Sequence, residues 1–126
     1  MKYTLEGLEA MNYLGINCVV AECQGFVVDA WYTDTNTAIV VDQDGCNGFD
    51  ADYCGNPSDM WPLIVEEGIS ISYQQHNGLW CAMVIGTEFT IIHFDKNPLR
   101  AAAIVYVMLK QMQTTTKQEI EEKVLI

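Results

Sequence analysis

An apolar stripe near the C-terminus constrains the fold more than any other feature of the chain. Its members recur at the spacing of one helical face: Ala101, Ile104, Val105, Met108, Leu109 and Met112. Asn97-Pro98 precedes the stripe and is typical of a helix start, because proline at the first position loses no hydrogen bond. The positions in between are largely apolar as well, so we expect a helix buried on more than one side.

The remainder of the chain alternates between helix and strand signals. Two further helices are predicted, from Leu5 to a stop at Gly15 and from Pro57 to a stop at Gly68. Strands are predicted over residues 16–22, 26–32, 37–42, 69–74, 79–85 and 88–94, with a loop over 42–56. This order predicts an α+β fold in which an antiparallel sheet of about five or six strands packs with two or three helices.

The 126 residues fit a single domain spanning 1–126. Thr114-Thr115-Thr116 is expected to interrupt the last helix, which would leave a separate amphipathic helix over 117–126. No apolar leader is visible after Met1, and the most apolar stretch, Leu99 to Leu109, is too short to cross a bilayer. We therefore expect a cytoplasmic protein with reduced thiols.

Charge is distributed very unevenly along the chain. Residues 3–95 contain fourteen Asp and Glu residues and no Lys or Arg, within a total net charge of −11. Such a body repels DNA and anionic membranes, so neither is expected as a direct partner, and it attracts basic protein surfaces. An acidic binding surface is predicted at Asp42, Asp44, Asp50, Asp52, Asp59, Glu66 and Glu67. Spaced carboxylates of this kind can imitate a nucleic-acid backbone, although an ordinary acidic surface has the same composition.

No motif in the sequence specifies a reaction or a cofactor. The loop from Asp42 to Cys54 is rich in oxygen ligands, but it lacks an acidic residue at the twelfth position of a calcium loop. Cys18, Cys23, Cys46 and Cys54 are not spaced as paired zinc knuckles, and neither His76 nor His93 completes such a pattern. We expect no catalytic residues, metal or cofactor, and binding rather than catalysis, with a hydrolase or metalloenzyme as the less favoured alternative.

Three large or charged side chains are candidates for a ligand site or a binding anchor: Trp61, Trp80 and Arg100. The expectation for each tryptophan, Trp31 included, is nevertheless core packing. Arg100 lies in the first turn of its predicted helix, where the helix dipole disfavours a cation. It either pairs with Asp59 or Asp95, or binds an anion beside the helix N-terminus.

Several segments resemble the NinX-like family of small phage proteins, for which we know of no established activity. The resemblance rests on Asn56-Pro57-Ser58-Asp59-Met60-Trp61-Pro62, on Trp80-Cys81-Ala82 and on Asn97-Pro98-Leu99-Arg100. It implies a phage origin and action in the host cytoplasm, and it transfers no catalytic residue.

These observations predict a phage accessory protein that binds, and thereby inhibits, a bacterial host or defence protein through its acidic surface. A basic nucleic-acid-binding protein is the most natural target. The alternative is a protein that binds or sequesters a small ligand such as a nucleotide signal, in a pocket containing Arg100 with Trp or Tyr rings. Homo-oligomerisation through the apolar helix 99–112 or the apolar end at Val124-Leu125-Ile126 is also expected.

Overall fold

The computed structural model describes residues 2–124, and the side chains of residues 2–114. In that part of the chain there are four helices: α1 (Leu5–Ala10), α2 (Tyr13–Cys23), α3 (Pro57–Glu67) and α4 (Pro98–Val124). The six strands are β1 (Val27–Tyr32), β2 (Thr37–Val41), β3 (Gly48–Ala51), β4 (Ser70–Gln74), β5 (Leu79–Ile85) and β6 (Thr90–Asp95). The α+β class is confirmed.

The strands form two antiparallel sheets of three strands each, in the orders β1-β2-β3 and β4-β5-β6. We call them the first sheet and the second sheet. The prediction of a single sheet of five or six strands is wrong, as is the count of two or three helices. Each sheet is a meander of neighbouring strands, and α3 separates the two meanders along the chain. The strand β3 lies inside the segment 42–56 that was predicted to be a loop.

The N-terminal region contains two helices instead of a helix followed by a strand. The first helix ends at Ala10, and the side chain of Asn12 caps the second by accepting a hydrogen bond from Gly15 N at 2.8 Å. Gly15 is therefore inside a helix, and the strand predicted at 16–22 is wrong. Val19 and Val20 favour a strand by propensity, but both are buried in α2, and tertiary packing overrides that weak preference.

The first half of α4 forms the centre of the core. Every residue from Ala101 to Val107 is at most 3% exposed. One side of α4 packs on β5 and β6, and other sides pack on α2 and α3, which confirms burial on more than one side. The second helix also packs on β1 and β2. The contacts thus run from the second sheet through α4 and α2 to the first sheet, and the helices cover one face of each sheet.

The helix signals at α3 are confirmed, whereas the predicted break in α4 is wrong. Asn56 accepts a hydrogen bond from Ser58 N, and Gly68 ends α3 in the left-handed conformation that glycine adopts without strain. In α4 the helical backbone continues through the three threonines to Val124. Thr114 Oγ1 donates to the Lys110 carbonyl at 3.0 Å, a bond made within a continuous helix. Leu125 and Ile126 lie outside the described residues.

Candidate functional site

Arg100 connects the start of α4 to the end of α1. Its guanidinium forms an ion pair with Asp95, and its Nη2 donates to the carbonyls of Glu9 and Met11, both at 2.9 Å, and to that of Leu8 at 3.4 Å. The residue is only 9% exposed. These carbonyls belong to the last turn of α1 and its C-cap, where helical carbonyls run out of partners, and that of Leu8 also accepts from Met11 N. Of the two predicted partners, Asp59 and Asp95, the arginine pairs with Asp95, and both of its Nη atoms donate within the protein.

An open cleft of about 650 Å³ lies beside this arginine. Its lining combines the α1–α2 junction, the β1–β2 turn and the start of α4: Met11, Asn12, Tyr13, Asn36, Asp95, Lys96 and Arg100. Lys96 has no ion pair among the side chains of residues 2–114, so it is the cation of the cleft that remains available to a ligand. Tyr13 is the aromatic ring in this lining, and neither Trp61 nor Trp80 reaches it.

The buried side-chain amide of Asn17 connects α2 to the β1–β2 turn and to the segment after β3. Asn17, which is fully buried in α2, donates from Nδ2 to the Asn36 carbonyl at 2.7 Å and to Asp52 Oδ1 at 2.9 Å. Its Oδ1 accepts from Cys54 N at 2.9 Å. The Cys54 carbonyl in turn accepts from Asn97 Nδ2 at 2.8 Å. The side-chain amides of Asn17 and Asn97 therefore join four segments that are distant in sequence: α2, the β1–β2 turn, residues 52–54 and the start of α4.

Several residues of the predicted acidic surface make contacts within the fold. Asp52 accepts from Asn17 and from Gly55 N, while its own backbone N donates to Asp59 Oδ2 at 3.0 Å. Glu67 forms an ion pair with Lys110 across α3 and α4. Asp52, Asp59 and Glu67 therefore have roles inside the fold. Glu66 is exposed on α3.

The loop between β2 and β3 holds two of the predicted acidic residues, Asp42 and Asp44. Asp42 accepts hydrogen bonds from Cys46 N at 3.0 Å and from Asn47 Nδ2 at 2.9 Å. The bond from Asn47, followed by that from Cys46, lowers the pKa of Asp42, so this carboxylate stays ionised. Asp44 is exposed. No group of His, Cys, Asp or Glu in the described part of the chain is arranged to hold a metal ion.

Two unpaired carboxylates lie on the outer face of the first sheet, which is the face turned away from the helices. Asp50 of β3 is directly opposite Ile39 of β2. On the other side of Ile39, β1 has a bulge whose extra residue is Asp29, next to Ala30. Both aspartates are exposed, and neither forms an ion pair with the side chains of residues 2–114.

This outer face is otherwise largely apolar. Side chains alternate along each strand, so Val27, Ile39 and Val41 lie on one face with Tyr32. Val27 is 46% exposed and Tyr32 is 53% exposed. Asp29 is not among the residues predicted from the sequence; the available signal is an acidic residue inside an otherwise apolar strand segment.

The tryptophans do not form a common ligand site. Trp31 is 61% exposed and Trp61 is 58% exposed, so the expectation of core packing is wrong for both. Trp31 lies on β1, a strand without a fully buried residue, and Trp61 lies on α3, where Met60, Leu63 and Ile64 take the buried positions. Trp80 is half-buried and its ring is 5.1 Å from that of Tyr73.

Burial governs the chemistry of Cys23, Cys54 and His93. Burial raises the pKa of Cys54 to about 12 and that of Cys23 to about 11, which suppresses the reactive thiolate. His93 is buried with its Nδ1 3.5 Å from a Glu9 carboxylate oxygen, and burial lowers its pKa. Its Nε2 has no hydrogen-bond partner among the described residues.

The chain is therefore a small α+β protein with a buried central helix and two three-stranded antiparallel sheets. The sequence model of one phage family, Bacteriophage P22 NinX, matches residues 10–110. The chain therefore belongs to the NinX family of phage proteins. No curated protein matches it significantly. The described residues include no helix with both the length and the apolar character needed to span a bilayer.

Proposed function

We propose that this phage protein binds and inhibits a basic bacterial protein, and that the outer face of the first sheet is its binding surface. The observation that carries the proposal is the pair of unpaired carboxylates, Asp29 and Asp50, on either side of Ile39. The exposed apolar side chains supply contact area, and the carboxylates select a basic partner over an acidic one.

The spacing of the two aspartates suits a partner that presents a basic helix. They lie on strands separated by β2, so their backbones are about 10 Å apart, which is about the diameter of an α-helix. A helix lying over Ile39 can therefore bring Lys or Arg side chains to both carboxylates. Asp42 and Asp44 extend the negative surface at the end where β2 leaves the sheet. Bacterial proteins that bind nucleic acid commonly present such basic helices, so mimicry of a nucleic acid is one form of this function.

The test uses a double variant, Asp29→Asn with Asp50→Asn, and a control that loses the same charge elsewhere, Glu6→Gln with Glu66→Gln. Each protein is immobilised and exposed to a lysate of the bacterial host. A protein retained by the wild type is then purified, and its dissociation constant for each variant is measured by calorimetry at low and high salt.

We expect the sheet variant to bind about tenfold more weakly than the wild type, and the control to bind nearly as well. Binding of the wild type should also weaken with salt, because exposed charges are screened. Equal losses in the two double variants, or an affinity that is indifferent to salt, would contradict the proposal.

A second candidate function is the binding of a small anionic ligand, such as a nucleotide, in the cleft. It is supported by Lys96 and Arg100, two of the six cations of the chain, which both line that cleft. The pairing of Arg100 with Asp95 speaks against it, since an anion would also meet this carboxylate. A thermal-shift screen with nucleotides separates the two candidates: a rise in melting temperature that is lost in Lys96→Gln supports the cleft.

A further inference from the structure

The outer face of the second sheet has no charged residue at any of its positions. From the strand register, one face combines the side chains that are turned away from α4. They are Ser70, Ser72 and Gln74 of β4, Leu79, Cys81, Met83 and Ile85 of β5, and Thr90, Ile92 and Phe94 of β6. Ile85 is 69% exposed, Ile92 is 46% exposed and Phe94 is 42% exposed.

The apolar side chains on this face are contiguous. Cys81 is opposite Phe94, and Met83 is opposite Ile92, and residues paired in this way touch across neighbouring strands. Ile85 extends the same row at the end of β5. Cys81 is buried and Met83 is half-buried in this row, so Ile85, Ile92 and Phe94 supply its exposed apolar area, and an exposed apolar patch of this kind suits an interaction surface.

The charge distribution of the chain favours a second copy of the same protein as the partner that covers this surface. Residues 3–95 contain no Lys or Arg, so elsewhere on this body a second copy would bring carboxylates against carboxylates. The outer face of the second sheet avoids that repulsion. Its ends are also self-complementary, because Glu88 precedes β6, Lys96 follows it, and both are exposed. If two copies meet with their β6 strands antiparallel, Lys96 of each copy approaches Glu88 of the other.

We propose that two copies of this chain form a symmetric dimer through the outer faces of their second sheets, with the β6 strands antiparallel. The contact is isologous, since the same patch is used by both subunits, and the two sheets pack about 10 Å apart. The homo-oligomer expected from the sequence therefore uses a different surface. The apolar helix 99–112 is largely buried by the protein's own sheets and helices, so it is not the contact.

Sedimentation equilibrium of the full chain tests the dimer. We expect a mass of twice 14.2 kDa for the wild type and a monomer for Ile92→Glu. Val65→Glu is the matched control, because Val65 is an exposed apolar residue on α3, and it should remain dimeric. Circular dichroism establishes that each variant is folded. A wild type that is monomeric at millimolar concentration overturns the proposal, as does equal dissociation of the two variants.

The orientation of the subunits is tested with exposed charges, which do not endanger folding. Lys96→Glu should raise the dimer dissociation constant about tenfold, because each copy would then face a like charge. Adding Glu88→Lys to that variant should restore the wild-type value. A double variant that dissociates as readily as Lys96→Glu alone overturns the antiparallel arrangement. The variant Asp29→Asn with Asp50→Asn should stay dimeric. The proposed dimer and the proposed partner-binding surface are therefore tested separately, and either can be wrong without the other.

Discussion

Arg100 and Met11 are joined by a hydrogen bond of 2.9 Å between the guanidinium Nη2 and a backbone carbonyl 89 residues earlier in the chain. The bond places the only arginine of the protein against the C-terminal end of α1, where the helix dipole is negative. It also explains a cation in the first turn of α4. The positive N-terminal end of α4 is unfavourable for the Arg100 cation. The negative C-terminal end of α1 and the carboxylate of Asp95 compensate for this.

Replacing Arg100 should therefore strongly destabilise the fold. Arg100→Ala leaves the Asp95 carboxylate, which is 13% exposed, without its cation, and we expect a loss of about 3 kcal/mol in the free energy of unfolding. Arg100→Lys keeps the charge but loses the forked geometry, so an intermediate loss of about 1–2 kcal/mol is expected. Urea unfolding measures both values. Lys96→Ala is the control, and a loss as large as that of Arg100→Ala would contradict this account.

The interaction of Arg100 with Asp95 was predictable from sequence, but its contact with α1 was not. Asp95 lies five residues away, within reach of a helix-start arginine, whereas Met11 is brought close only by the packing of α1 against α4. Local signals likewise located α3, the second sheet and the buried half of α4. They failed at residues 16–22, because Val19 and Val20 favour a strand by local propensity, whereas the packing of α2 in the core decides for a helix.

Asn17 should be essential for fastening the 52–56 segment to α2. Asn17→Ala removes three hydrogen bonds at a fully buried position, so we expect a loss of about 2–3 kcal/mol in the free energy of unfolding. Asn17→Asp should be worse at neutral pH, because it places a carboxylate against Asp52, and should recover as the pH falls and the pair becomes protonated. Denaturant unfolding at neutral and acidic pH compares the two variants. If Asn17→Asp is the more stable one at neutral pH, the contact with Asp52 is not made as described.

The acidic surface illustrates why site residues are harder to predict than helices. The sequence shows that residues 3–95 contain no Lys or Arg. It does not distinguish an aspartate that accepts hydrogen bonds within a loop from one that faces solvent. Asp52 and Asp59 are used within the fold because the chain returns on itself after β3. Asp29 lies beside Ala30 on the outer face of the first sheet only because of the bulge in β1. A bulge depends on the pairing register of the strands rather than on the local sequence.

His93 should make the stability of the protein depend on pH. Burial lowers its pKa in the folded state, although Glu9 and Asp95 act in the opposite direction and Arg100 acts with burial. The unfolded chain therefore binds a proton more readily than the folded one. The contribution of His93 to the free energy of unfolding is therefore fully present above the ordinary histidine pKa of 6.5. It is lost as the pH falls toward the lower pKa of His93 in the folded state.

Melting temperatures across this pH range test the expectation. His93→Phe should remove the dependence, whereas His76→Gln, at an exposed hairpin turn, should leave it unchanged. If His93→Phe keeps the full dependence of the wild type, another group is responsible.

Thiol reactivity should follow burial. Cys46 is exposed in the loop after β2, whereas Cys54 is fully buried and its pKa is raised to about 12 by desolvation. Since the thiolate is the reactive form, an aromatic disulfide reagent at neutral pH should modify Cys46 rapidly and Cys54 only after unfolding. The variant Cys46→Ser should lose the rapid phase, and mass analysis of peptides identifies the labelled sites. Rapid labelling of Cys54 in the native protein would mean that the segment held by Asn17 and Asn97 opens readily, against the hydrogen bonds that fasten it.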